Sequence, residues 1–202
     1  MTDGPAVRAR TQRAGFIVAG GASSRMGRDK AAMPFGNVGF GTLLEYAAKI
    51  VEEAAGSATV IAPPDRYRHL GLLVIPDSEP GAGPLGGIVT ALAASNAEWN
   101  LIAACDMPFL SAGLFHRLFE QAAASGAQVV LPIAGGRPQP LCAVYHRTAL
   151  EPIQHAFASG VRKVLTALES LTIVHFAGDA DSFRNLNTPE DWRAALAAPT
   201  PA

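Results

Sequence analysis

The chain has 202 residues, 49% of them apolar and only 16% charged, a balance that suits one sizeable core and excludes a disordered chain. Lys+Arg 16 against Asp+Glu 17 leaves a net charge of −1, so no basic excess points to a nucleic-acid backbone as partner. No apolar run approaches the roughly 20 residues of a membrane span.

In chain order, residues 1–14 carry Arg8, Arg10 and Arg13 but no apolar stretch. They read as a disordered leader and not as a signal peptide. A single domain is expected over residues 15–198, with Pro199–Ala202 frayed. Candidate strands are Gly15–Val18, Ala58–Ala62, Leu72–Pro76, Leu101–Cys105, Gln128–Ile133, Leu141–Tyr145 and Leu171–Phe176. Candidate helices alternate with them at Thr42–Ala55, Leu85–Ser95, Ser111–Ala124, Thr148–Ala158, Val161–Ser170 and Pro189–Ala197. Ser111 and Thr188 are suited to N-caps, and Gly126 to a C-terminal stop. Such alternation predicts a three-layer α/β sandwich with a mostly parallel sheet and helices on both faces. Between Gln128 and Tyr145, Gly135–Pro140 reads as a loop joining two strands. Cys105 and Cys142 both lie in apolar runs and read as buried thiols of a reducing, cytoplasmic compartment.

The sharpest motif follows the first strand. Val18 to Lys30 read V-A-G-G-A-S-S-R-M-G-R-D-K. Small residues at Gly20, Gly21 and Gly27 let backbone N–H groups approach an anion. Arg25 offers a planar fork of donors and Lys30 a point charge, both suited to phosphate oxygens. Neither the P-loop pattern nor G-x-G-x-x-G fits this stretch. Two acids close apolar strands, Asp77 in Pro76-Asp77 and Asp106 in Cys105-Asp106-Met107-Pro108. Asp106 is suited to a divalent cation at the mouth of the sheet, and Asp77 either to a nucleotide or to capping its own turn. Arg137, on the loop between two strands, can grip a second phosphate. Asn187, just before the last helix, can meet metal or substrate or simply cap that helix. The five histidines show no metal-ligand spacing.

Gly81, Gly83 and Gly86 supply a rival signal, G-x-G-x-x-G, with Asp106 about 20 residues on. It would mean dinucleotide binding and an NAD-linked oxidoreductase. Asp77-Ser78-Glu79-Pro80 separates these glycines from their strand, so the segment reads better as a loop over a nucleotide. Gly86-Gly87 would then open a closely packed helix.

Along 15–192 the sequence resembles the molybdenum cofactor guanylyltransferases. The matches are Ala19-Gly20-Gly21 with Ser24-Arg25-Met26-Gly27 and Asp29-Lys30, then Pro76-Asp77, Gly83-Pro84-Leu85-Gly86-Gly87, Cys105-Asp106-Met107-Pro108 and Asn187-Thr188-Pro189-Glu190-Asp191. The resemblance implies a Rossmann-like nucleotidyltransferase fold and transfer of GMP from GTP to the terminal phosphate of molybdopterin, with pyrophosphate released and Mg²⁺ as cofactor. It implies nucleotide contacts from Val18, Ala19, Gly20, Gly21, Lys30, Asp77, Gly86 and Asp106, and Mg²⁺ on Asp106. Arg25, Lys30 and Asp106 are the expected catalytic residues, Arg137 and Asn187 the expected contacts of the second substrate. GTP and molybdopterin are then the small-molecule partners, with transient contacts to other molybdenum cofactor proteins or target apoenzymes, and neither nucleic acid nor membrane. The segment Phe35–Thr42 departs from the family's short Gly-x-Pro-Leu. The related cytidylyltransferases often carry Ala-Ala-Gly at the position of Ala19-Gly20-Gly21, which favours guanine here. A non-catalytic nucleotide-binding adaptor would share the fold without turnover.

Overall fold

Strands with apolar side chains on both faces can only be satisfied in the middle layer of a sandwich. The computed structural model, which describes residues 12–19, 29–35, 41–186 and 188–197, places them there. Its strands are β1 (Arg13–Val18), β2 (Thr59–Ile61), β3 (Leu73–Ile75), β4 (Trp99–Ala104), β5 (Val129–Ala134), β6 (Arg137–Pro138), β7 (Cys142–His146) and β8 (Ile173–Gly178). Its helices are α1 (Leu43–Ala55), α2 (Pro64–Tyr67), α3 (Pro84–Ala94), α4 (Ala112–Ser125), α5 (Leu150–Ala158), α6 (Val164–Ala167) and α7 (Pro189–Ala197).

The sheet order is β3-β2-β1-β4-β7-β5-β6, with β8 on β5. β1 to β4 run parallel, β7 is antiparallel to both β4 and β5, and β8 is parallel to β5. Alternate side chains divide the core. Ile17, Leu101, Ala103, Val130 and Val144 pack under α1 and α4. Phe16, Ile102, Val129, Leu131 and Tyr145 pack under α3 and α5. A fully buried aliphatic side chain such as Ile17 or Leu101 contributes roughly 1.5–3 kcal/mol. The three-layer, mostly parallel sandwich expected from the sequence is therefore observed.

The strand order reverses between β1 and β4. The chain leaves β1 through α1 toward β2, and enters β4 from α3 on the opposite face. In open α/β sheets a crevice opens outside the carboxyl ends of the strands at such a switch point.

Local details differ from the expectation in four places. β1 starts at Arg13, inside the segment expected as leader, because Arg13 and Ala14 pair with Trp99 and Asn100. The expected helix Val161–Ser170 shrinks to the single turn α6. Gly160 turns left-handed at φ +90°, and the Arg162 guanidinium caps the Phe157 and Val161 carbonyls at 2.8 and 2.9 Å, which draws residues 161–163 out of helical form. Gly135 and Gly136, at φ +55° and +74°, make a tight turn between β5 and β6, so Arg137 lies on a short strand where a loop was expected. Pro64–Leu70, unassigned from sequence, forms α2 and a 3-10 turn.

A satellite cluster joins the start of α1 to α7. Phe35 meets Tyr46 in a tilted ring contact at 5.2 Å and Trp192 edge-on at 5.7 Å, with Leu43 and Leu186 packed beside them. The departing segment is pinned at its roots, where Phe35 N–H donates to Gly41 O at 3.0 Å and Leu43 N–H to Met33 O at 2.9 Å. Residues 36–40 lie outside the described residues.

Gly15 lets α1 pack closely on β1. A Cβ there would lie 2.3 Å from Val51 Cγ1 and 2.5 Å from the Ser57 carbonyl oxygen. We expect Gly15→Ala to lower stability by about 1–3 kcal/mol through overpacking. Urea unfolding checks it: the midpoint should fall with an unchanged slope.

Candidate active site

The carboxyl ends of β1 and β4 meet side by side. Val18 pairs with Ala104, so the chain leaves β1 at Ala19 next to Cys105-Asp106. Ala19 N–H donates to Ile61 O at 3.1 Å, which fixes the root of the glycine loop on β2. Gly20, Gly21 and Arg25 lie outside the described residues, as does Asn187.

Lys30 re-enters at this same end on the 3-10 turn Lys30–Ala32, capped by Asp29. Its Nζ donates to the Leu186 carbonyl at 2.5 Å, and the Leu186 N–H donates to the Asp106 carbonyl at 2.9 Å. One backbone unit ahead of α7 therefore joins the lysine to the aspartate. Neither distant contact is visible in local pattern. α7 itself starts with Thr188 and Asp191 in reciprocal capping contact, at 2.9 and 3.1 Å, so the expected N-cap is observed.

Asp106 sits in the turn that closes β4. Burial raises its carboxyl above the ordinary aspartate range, and the Lys30 ammonium pulls it only part of the way back. A desolvated carboxylate with incomplete cationic compensation fits a further cation. Among the described residues no group of three or more His, Cys, Asp or Glu could hold a metal. This donor set suits Mg²⁺, which takes one or two carboxylates and completes its shell with substrate phosphates and water. Burial foremost, and the neighbouring acids next, push the adjacent Cys105 thiol up to about 12. Both cysteines are free; Cys142 is buried as expected, whereas Cys105, in the turn that closes β4, is only half-buried.

Asp77 lies just beyond β3. Its Oδ1 accepts the Glu79 N–H at 3.0 Å and the Thr90 hydroxyl at 2.7 Å. The Thr90 oxygen also accepts the Ser78 N–H at 3.1 Å. Thr90 is one of only two buried polar or charged residues among those described, and it binds the 77–79 turn to α3. The turn-capping reading of Asp77 is thus realised in the geometry, alongside a place on the rim of the crevice.

The glycines of α3 are packing positions. A Cβ on Gly86 would lie 2.9 Å from the Glu79 carbonyl oxygen, and one on Gly87 would lie 2.8 Å from Val18 Cγ1. They bring the loop and the end of β1 against the helix. The dinucleotide fingerprint needs its glycines directly at a strand end, yet residues 76–83 separate β3 from α3. Arg137 is exposed, and its turn lies at the carboxyl end of β5. β8 takes one edge of β5 along its whole length, so β6 lies on the other edge, in line with β7, the neighbour of β4. Arg137 therefore shares the rim with Asp106, on the strand line next to β4.

The comparisons agree with this geometry. Residues 15–171 match the family model "MobA-like NTP transferase domain". The chain belongs to this family. A relative from Halalkalibacterium halodurans, named "Probable molybdenum cofactor guanylyltransferase", is 34% identical over 191 residues, 89% of this chain and 95% of its own. Among solved structures, molybdopterin-guanine dinucleotide biosynthesis protein A from Archaeoglobus fulgidus superposes with a TM-score of 0.75 at 25% identity, covering 91% of this chain and 96% of its own. The 2-C-methyl-D-erythritol 4-phosphate cytidylyltransferase of Thermus thermophilus shares the fold, with a TM-score of 0.69 at 20% identity over 92% of this chain and 98% of its own. Membership identifies the protein as a nucleotidyltransferase, and the resemblance read from its motifs is upheld.

Sequence pattern reports neither the Thr90 hydroxyl that holds the 77–79 turn nor the Leu186 backbone that joins Lys30 to Asp106, because both act through contacts between distant segments. No helix among the described residues is long and apolar enough to cross a membrane.

Proposed function

We propose that the protein transfers the GMP moiety of GTP to the terminal phosphate of molybdopterin and releases pyrophosphate. The observation that carries this reading is the joining of Lys30 and Asp106 through Leu186 at the β1/β4 switch point, in a member of the MobA-like family. The names of its relatives support the choice of substrates.

In this reading Ala19, Gly20 and Gly21 bring backbone close to the nucleotide, with Val18 and Gly86 shaping the wall behind it. Arg25 and Lys30 place donors on the phosphate oxygens. A molybdopterin phosphate oxygen attacks the α-phosphorus, and the bond to the β-phosphate oxygen breaks in line with it. Positive charge from Arg25 and Lys30 meets the charge that develops on the departing pyrophosphate. Asp106 would hold Mg²⁺, which when bound neutralises charge on the phosphates and aligns them. Asp77 contacts the nucleotide, while Arg137 and Asn187 hold the second substrate. The reaction occupies one domain, 15–198, in the cytoplasm, where Cys105 and Cys142 stay reduced. Product hand-over would involve transient contact with other proteins of molybdenum cofactor metabolism or with target apoenzymes.

The Gly20-Gly21 pair places no side chain between backbone and base, which suits a purine. Purified protein given molybdopterin, Mg²⁺ and equal GTP and CTP should incorporate GMP in preference. Preferential incorporation of CMP would make it a cytidylyltransferase.

A further inference from the structure

Asp29 immediately precedes Lys30, and its carboxylate is held from two sides. Oδ1 accepts the Ala31 N–H at 3.2 Å, which caps the 3-10 turn carrying Lys30. Oδ2 accepts the Tyr67 hydroxyl at 2.8 Å, across 38 residues of chain. The Arg66 Nε stands 3.8 Å from the same oxygen on an exposed side chain, a weaker attraction.

Tyr67 is fully buried, in the core layer of α1 and α4. Burial first, then the Asp29 carboxylate, raises its phenol well above the usual tyrosine range, so it stays a donor at every working pH. A phenylalanine would fill the same volume. The hydroxyl is the part the core does not need, and its partner is the residue beside Lys30.

The geometry points to Tyr67 as a positioning residue for nucleotidyl transfer, its hydroxyl fixing the Asp29 carboxylate and hence the backbone from which Lys30 reaches the triphosphate. This rests on the phosphate role of Lys30 proposed above. A lysine stem has four rotatable carbons, so its ammonium is only as well placed as its root. The Leu186 carbonyl restrains the far end and the Tyr67–Asp29 bond the near end.

A double-mutant cycle tests it. Tyr67→Phe, Lys30→Ala and the double variant are compared by kcat and KM for GTP at saturating molybdopterin and Mg²⁺, and by calorimetric Kd for GTP. Tyr67→Phe should raise KM and Kd for GTP roughly fivefold to twentyfold in the parent, as expected for a misplaced contact group. In the Lys30→Ala background its effect should shrink below about twofold, because a residue acting through Lys30 has nothing left to position. Asp29→Asn, which leaves Tyr67 in place, should show the same dependence on Lys30, so the cycle can be read even if Tyr67→Phe folds poorly. Lys30→Ala with parental kinetics would overturn the phosphate role of Lys30 and this inference with it. An impaired Lys30→Ala on which Tyr67→Phe acts by its full factor, or a Tyr67→Phe without effect, would overturn this inference alone.

Discussion

Asp106→Asn is expected to lower turnover by at least about a hundredfold while leaving the fold intact. A carboxylate that holds a cation which neutralises charge formed in the transition state carries several kcal/mol, and each 1.36 kcal/mol is about a factor of ten. The substitution keeps the size of the side chain and removes its charge. The sign of the stability change is opposite to that of the activity. Burial raises the Asp106 carboxyl in the folded state, so its charged form is penalised there. Parental stability is therefore lost as pH rises from the ordinary aspartate range through the raised value, and the neutral variant escapes that loss. Thermal unfolding at neutral pH should show Asp106→Asn at least as stable as the parent, with pyrophosphate release nearly abolished. Near-parental turnover at limiting Mg²⁺ would move the metal to Asp77 or Asn187.

Lys30→Ala should weaken GTP binding and turnover roughly tenfold to a hundredfold, the loss of one charge-assisted hydrogen bond of about 1.5–3 kcal/mol. It has a second consequence. The Lys30 ammonium is what pulls the Asp106 carboxyl back down. Without it that carboxyl rises further, so the acid limb of the pH–rate profile should move to higher pH. Steady-state rates across pH check both effects, and unchanged rates with an unmoved acid limb would remove Lys30 from the site.

What was legible in the sequence was what local pattern encodes. Apolar runs on both faces of Leu101–Ala104 and Val129–Leu131 mark strands covered from two sides, and the caps at Ser111 and Thr188 are realised. Asp77 and Asp106 were legible as site candidates because each closes a strand. Pairing across distance was not legible. β7 inserts between β4 and β5, antiparallel to both, and nothing in Cys142–His146 itself reports that position. Pro63–Gly71 has no apolar period, yet it delivers Tyr67 to Asp29. The helix expected from Val161 fails because Arg162 spends its guanidinium on α5. The most specific motif, Gly20 to Gly27, lies outside the described residues, so its reading rests on its chemistry and on the family match to 15–171.

The central claim is a guanylyl transfer, and pyrophosphate release measures it most directly. Purified protein with GTP, Mg²⁺ and molybdopterin should release pyrophosphate in step with formation of a guanine dinucleotide product, and release little when molybdopterin is left out. Binding of GTP without any pyrophosphate, or release that does not depend on molybdopterin, would contradict it.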